Sequence, residues 1–391
     1  MVAVQRRVDR QQFPAVISFI SEVTIVMVSI YLPYRAFQLG ADSWLVGLVG
    51  ASGSVVYMFA PFLTGRLSDK VGPKRLLVLG TSLITALCLS YTLVSNPVIF
   101  VGLRLLEGIG WAMIWPPLEA LYSLRGTDLR RSLKMFNLAW GLGAITAPIL
   151  GSLVVSFTSV GGTFLLSAAM MMAALSVSLS IEGRPAAHAA PRGRPKVRLD
   201  PGATAALLSY TFVYGLTMTT FSTFFPKFAA SLNFEVTLWG TVLSSIYAGR
   251  LLAFLVSERV MQTLGMKTTR TVFLLLALCF PLYSVTPHPS AYLLVISSFV
   301  TGSAFGFVYS ATLVTMLSGP VEGRGRSAGL FESSLGFGSF VGPALAGAIA
   351  SSGLWLTMVL PVAPIVGVLL AGASVLREQS GTSAGQDVGQ H

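Results

Sequence analysis

Apolar runs long enough to cross a bilayer follow one another along almost the whole chain, and they leave it few other places to fold. Twelve can be counted, near 14–36, 43–65, 76–94, 98–123, 132–156, 158–181, 202–229, 234–257, 271–286, 290–317, 328–352 and 354–376. Most reach the ~20 residues a helix needs to span the hydrocarbon core. Each run is continuously apolar, whereas a barrel strand alternates over about ten residues, so helices and not strands make the crossings. Only 10% of the 391 residues are charged and 53% are hydrophobic, too little polarity to cover a soluble fold of that size. The fold class read from this is an all-α integral membrane protein with twelve transmembrane helices.

A formal net charge of +11 raises the question of a nucleic-acid partner, and the distribution of the basic residues answers it. With the N-terminus placed in the cytoplasm, the outer segments hold only Arg35 and Lys227, and the remaining basic residues outside the apolar runs fall in inner segments. Such asymmetry sets topology. It implies a multi-pass protein of the cell membrane with both termini cytoplasmic, and no nucleic-acid partner. Cys88 and Cys279 lie inside apolar runs, so no disulfide framework is indicated, and no cleavable signal peptide is apparent.

The two halves repeat. At one constant offset Pro33 falls on Pro226, Asp42 on Glu235, Gly47 on Gly240, Arg66 on Arg259, Gly72 on Gly265 and Lys74 on Lys267. A slightly larger offset then brings Arg131 onto Arg326, Phe136 onto Phe331, Gly143 onto Gly338 and Pro148 onto Pro343. A fixed register that includes charges and prolines reads as duplication of a six-helix unit. The expected organisation is an N-terminal bundle over 1–181, a Pro-, Ala- and Arg-rich cytoplasmic linker over 182–201, and a C-terminal bundle with a short tail over 202–391.

Between the second and third runs lies GRLSDKVGPKR, Gly65 to Arg75. Its spacing of Gly65, Leu67, Asp69, Lys70, Gly72 and Lys74 resembles the signature of major facilitator superfamily transporters, with Pro73 standing where that family usually has a first basic residue. In the fourth run RLLEGIG, Arg104 to Gly110, is similar to a pattern of proton-coupled members. In the fifth, Gly143, Pro148 and Gly151 are similar to the antiporter pattern, with Ala147 in place of a glycine, and Gly338, Gly342 and Pro343 give the fuller version in the eleventh. The resemblance, greatest to the twelve-helix drug:proton antiporter branch, implies two pseudo-symmetric six-helix bundles with a substrate site between them near the midplane. The glycine and proline pattern has two open readings, packing shared by the fold or a mark of export.

Charges inside the bilayer are costly and call for a partner or a purpose. Glu22 sits about nine residues into the first run, ~14 Å along a helix, close to the midplane. It is the expected proton carrier, with a permanently paired carboxylate as the alternative. Arg104 and Glu107 are expected to tune it or gate access, or simply to pair at i, i+3. Arg104, Gly108, Trp111 and Trp115 share one helical stripe. The candidate substrate cavity comprises Tyr31, Trp111, Trp115, Trp140, Tyr214, Tyr309 and Glu332, against the alternative of packing or interfacial anchoring, and Arg250 is a weaker candidate. The loop motif, Gly65, Asp69, Lys70, Gly72, Lys74 and Arg75, is read as a conformational latch: Asp69 would lie at the start of the eleventh helix, and Glu119 would take the basic partner.

Three scattered histidines offer no metal or nucleophile arrangement, and no phosphate-cradling Gly-rich Lys-Ser/Thr loop occurs. The expectation is therefore no enzyme, no metal and no cofactor. A monomeric secondary transporter coupled to protons and exporting small amphipathic molecules is the leading reading. Symport or uniport of a small organic anion or sugar is the alternative, and a membrane sensor that moves nothing the third.

Overall fold

The computed structural model describes residues 2–125, 129–181, 201–317 and 324–371, and the regular elements among them are all helical. In chain order they are α1 (Val2–Gln38), α2 (Ser43–Tyr57), α3 (Ala60–Val71), α4 (Pro73–Leu93), α5 (Pro97–Ala112), α6 (Trp115–Arg125), α7 (Leu129–Phe157) and α8 (Val160–Ser180). After the segment expected to be a linker, which but for Pro201 lies outside the described residues, come α9 (Pro201–Ser231), α10 (Val236–Leu264), α11 (Met266–Leu276), α12 (Cys279–Ser284), α13 (Ala291–Leu317), α14 (Arg324–Ile349), α15 (Trp355–Val359) and α16 (362–371). Nine stretches among the described residues are long and apolar enough to cross a membrane by themselves. The others are Ser43–Tyr57 continued by α3, the shorter Trp355–Ala371, and α9, whose many Thr, Ser and Tyr residues lower its hydropathy; with them the count is twelve.

Four of the apolar runs are not single helices. The second breaks at Met58 and Phe59, the fourth at Met113 and Ile114, the ninth at Ala277 and Leu278, and the last at Leu360 and Pro361. A proline follows each break within a turn: Pro61, Pro116, Pro281 and Pro361 or Pro364. Proline has no N–H, and its ring opposes the carbonyl four residues back, so the helix stops and restarts with proline in its first turn, where no donor is missed. Pro33, Pro148, Pro226 and Pro343 lie inside unbroken helices. At one of them the Tyr31 hydroxyl of α1 donates to the carbonyl of Pro148 itself at 2.9 Å and so ties α1 to α7.

The repeat seen in the sequence is a repeat of contacts. Gly143 of α7 lies where a Cβ would meet the Phe19 carbonyl of α1, and Gly338 of α14 stands in the same relation to the Phe212 carbonyl of α9. Gly72 and Gly265, each joining two helices, have φ of 89° and 77°, a backbone conformation that glycine alone adopts cheaply. Between the halves the same pairing recurs: α2 packs on α14 and α7 on α10. Gly47 faces Pro343 and Gly347, and its counterpart Gly240 faces Pro148 and Ser152.

These inter-half contacts gather at the end of the bundle remote from the chain termini. Lys227 Nζ donates to Ser43 Oγ at 2.9 Å across the halves, and Tyr34 meets Trp239 edge-on at 4.9 Å. At the opposite end α3 and α6 pack on helices of their own half, and the side chains of Glu119 and Glu332 are exposed. Among the described residues the space between the halves thus opens on the side of the termini.

Candidate functional site

Near the middle of the molecule α1 and α10 each place one charge at the junction of the halves. Glu22 and Arg250 are both only 5% exposed. Their closest approach, Glu22 Oε1 to Arg250 Nη2, is 4.0 Å. The guanidinium is held by other partners: Nη1 donates to Tyr214 Oη at 3.0 Å, and its carbon lies 4.3 Å from the Trp140 ring centre and 4.8 Å from that of Tyr247. Nη2 is buried without a hydrogen bond. Trp140 also approaches Glu22 as a donor.

An aromatic wall continues from this pair toward the open end. Trp140 of α7 stacks on Phe254 of α10 at 6.1 Å and 12°. Tyr309 of α13 meets Phe254, Tyr214 and Phe331 at 5.5, 5.4 and 4.8 Å. Tyr57, at the end of α2, lies within electrostatic reach of Glu22, Glu119 and Glu332. The expected cavity residues Trp140, Tyr214, Tyr309 and Glu332 are therefore together, joined by Tyr57, Tyr247, Arg250 and Phe254. A signal for Arg250 was present in the sequence, since a lone cation midway along a 29-residue helix needs a partner.

Arg104 and Glu107 do not meet Glu22. They form a second cluster between α2, α4 and α5, where Arg104 Nη1 lies 2.7 Å from Glu107 Oε1. The same oxygen accepts the Trp111 indole N–H at 2.8 Å, and Oε2 accepts the Tyr91 hydroxyl. With both carboxylate oxygens engaged, Glu107 serves as the fixed counter-ion of Arg104, and the expectation that this pair tunes Glu22 is corrected: the cation facing Glu22 is Arg250. Three expected cavity residues are corrected as well. Trp111 is spent on Glu107, and Trp115 packs edge-on against Phe136. Trp115 does not share the Arg104 stripe, because the helix breaks before Pro116. Tyr31 is 1% exposed, bound to the Pro148 carbonyl with Gly151 against its ring.

At the open end Glu119 and Glu332, one from each half, are within electrostatic reach of each other and of Tyr309. No ion pair joins Glu119 to Lys74 or Arg75 among the described residues, and the groups within electrostatic reach of Glu119 include Glu332, Tyr309 and Tyr57. Lys70 and Arg75 are exposed and Lys74 is half-buried, while Gly65 and the Asp69 side chain lie outside what is described. The glycines of α7 and α14 make packing contacts. Gly143 and Gly151 lie against α1, Gly338 and Gly342 against α9, and Pro343 with Gly347 against α2. Among the described residues no group of three or more His, Cys, Asp or Glu side chains is arranged to hold a metal ion.

The family model described as Major Facilitator Superfamily matches residues 15–318 and 207–389. Multidrug resistance protein MdtL of Escherichia coli (strain SMS-3-5 / SECEC) is 26% identical over 368 residues, covering 86% of this chain and 89% of its own. MdtL of Escherichia fergusonii is 27% identical over the same shares. Among solved structures the nucleoside transporter NupG superposes with a TM-score of 0.78 at 17% identity, over 94% of this chain and 98% of that one. At that identity the likeness speaks for the fold.

Proposed function

Because the chain belongs to the major facilitator superfamily, we propose that it is a proton-coupled secondary transporter that expels small amphipathic molecules by alternating access. The observation that carries this reading is the Glu22–Arg250 pair: one buried charge from each half, at the helix contacts that must change when the halves rock, beside an aromatic wall open to one side. Glu22 carries the proton. Its one cationic neighbour stands too far away to lock it, and a carboxylate of that kind can exchange a proton with whichever side the cavity faces. The names of the MdtL relatives support efflux of drug-like solutes. With the termini in the cytoplasm, as the charge asymmetry implies, the open side is the cytoplasmic one, where an exporter loads. The working unit in this reading is a monomer in the cell membrane, its bundles over 1–181 and 202–391 linked by 182–201, with the Gly65–Arg75 loop as the latch that favours the inside-closed state.

Purified protein in proteoliposomes with an imposed pH gradient tests the proposal. Internal pH is recorded as aromatic amphipaths of different charge are added, for wild type and Glu22→Gln. Solute-triggered proton movement that Glu22→Gln abolishes is the expected result. Solute flux indifferent both to the gradient and to Glu22→Gln refutes it. A second reading, symport of an organic anion, draws on the unpartnered Nη2 of Arg250, and it shows in the same assay as protons entering together with the solute.

A further inference from the structure

Glu22 and Arg250 face each other without closing. Their 4.0 Å separation exceeds the ~2.7–2.9 Å of a charge-assisted hydrogen bond. The guanidinium has little freedom to move nearer, since Tyr214 holds Nη1 and the rings of Trp140 and Tyr247 hold its faces. Its Nη2 edge remains buried, unbonded and directed at Glu22. A buried donor on a charged group is costly to leave unmade, so the site favours a species that completes it. The species must also satisfy Glu22. An isolated cation beside Glu22 would lie close to the fixed charge of Arg250, and an isolated anion beside Arg250 would lie close to Glu22; in either case the like-charge term opposes binding where screening by water is weak. A solute carrying both charges meets neither objection and leaves the site neutral.

We propose that the Glu22–Arg250 pair is a two-point recognition site for zwitterionic amphipathic solutes. The anionic group is taken by Arg250 Nη2, the cationic group by Glu22, and the apolar body lies along Trp140, Phe254 and Tyr309. The duplicated scaffold gives the site one polarity. Gly215 occupies the repeat position of Glu22, and Tyr57 that of Arg250, so no second, reversed pair exists. The solute therefore binds with its cationic end toward the N-terminal half. This rests on the exporter reading and supplies its exchange condition: the solute's cationic group and the proton take turns on one carboxylate. Among the described residues the charged and titratable groups within electrostatic reach of Glu22 are Arg250 and Tyr247 from α10 and Tyr57 from α2.

Four matched indoles test the proposal by calorimetry on the full chain in lipid nanodiscs: tryptophan as zwitterion, tryptamine as cation, indole-3-propionate as anion and N-acetyltryptophanamide as neutral control. Removing either charged group from the solute should weaken binding about tenfold or more, so tryptophan is expected to bind at least about tenfold more tightly than the other three. Arg250→Gln should erase its advantage over tryptamine, and Glu22→Gln its advantage over indole-3-propionate. Arg250→Lys, which keeps the charge but loses the planar fork, should fall between. Thermal unfolding of each variant checks that it is folded, and where a variant is not, the four-ligand comparison on wild type together with Arg250→Lys decides. Tryptamine or indole-3-propionate binding as tightly as tryptophan overturns the two-point site, as does failure of all four to bind. The exporter reading fails separately: tryptamine driving Glu22-dependent proton movement in liposomes keeps the exporter and discards the zwitterion, whereas two-point tryptophan binding with no proton movement does the reverse.

Discussion

Gly47→Ala should push the two halves apart at the end where they now touch. A Cβ at Gly47 would stand 2.9 Å from the Gly347 Cα and 3.2 Å from its N, and closer still to the Pro343 carbonyl. All three are backbone atoms, so no rotamer change relieves the clash and α2 must withdraw from α14. Overpacking of this kind costs about 1–3 kcal/mol. The cost falls only on the state in which these helices are in contact. At about 1.4 kcal/mol per tenfold, the equilibrium between the closed and open arrangements of that end therefore moves about 5- to about 150-fold toward open. Gly240→Ala makes the pseudo-symmetric clash, 2.6 Å from the Pro148 carbonyl and 2.7 Å from Ser152 Cβ, and should act in the same direction. Spin labels on Gln38 and Ser231, both exposed at that end, in a background lacking the two native cysteines, report the separation by pulsed dipolar spectroscopy. The expected outcome is a growing long-distance population in each single variant and a larger one in the double. An unchanged distance distribution in folded protein would refute the claim that the Gly47 and Gly240 contacts gate this end.

Glu107→Ala leaves Arg104 buried and uncompensated, and should lower stability by about 3–5 kcal/mol; a combined Arg104→Met, Glu107→Leu replacement should cost much less, both read from thermal unfolding in detergent. Tyr31→Phe removes one hydrogen bond to the Pro148 carbonyl and should cost about 1 kcal/mol while leaving the KM for transported solutes unchanged; a raised KM would return Tyr31 to the cavity. Gly72→Ala and Gly265→Ala should each destabilise by about 1–3 kcal/mol, and by similar amounts, because both positions hold the same glycine-only backbone conformation; a neutral result at either would break the structural equivalence of the two loops.

The architecture was legible because its causes are local or periodic. Apolarity over a span, basic residues at one set of loops and a repeated register of Gly and Pro are properties of the chain before it folds. The four helix breaks were less so, although Pro61, Pro116, Pro281 and Pro361 were in view, since hydropathy averages over a window and does not register one missing N–H. Trp115 was misplaced for that reason. Glu22 stood out as a lone acid in an apolar run, and the Arg104–Glu107 pairing followed from i, i+3 spacing. The partner of Glu22 did not follow. Arg250 reaches it from the other half, and that contact exists only once α7 and α10 have packed. Nor did the Tyr91 hydroxyl on Glu107, whose helix α4 is brought there by tertiary packing.

The duplicated scaffold also separates framework from site. Where the halves agree, as at Gly47 and Gly240, Gly72 and Gly265, Gly143 and Gly338, or Pro148 and Pro343, the residues make equivalent backbone contacts. Where they disagree, the charges at the space between the halves appear: Glu22 against Gly215, Arg250 against Tyr57 and Glu332 against Asn137. The halves run the same way through the membrane and are related by an axis along its normal, so exchanging them leaves the facing state unchanged; two identical halves would carry every charge twice, with two reversed Glu–Arg pairs at the midplane. A carrier built that way could rock, but its solute would find two equivalent, opposed sites in place of one. A ligand shifts the rocking equilibrium only by its differential affinity for the two states, and a single proton site set against a single solute site needs groups that the symmetry does not duplicate. Glu22 and Arg250 are such groups, lodged among framework contacts that are duplicated. Restoring the repeat at the proton carrier, by Glu22→Gly, should therefore leave the Gly47 and Gly240 contacts intact while uncoupling solute from proton, so that exchange of solute persists but is no longer driven by a pH gradient; retention of gradient-driven transport in this variant would mean that coupling resides elsewhere in the molecule.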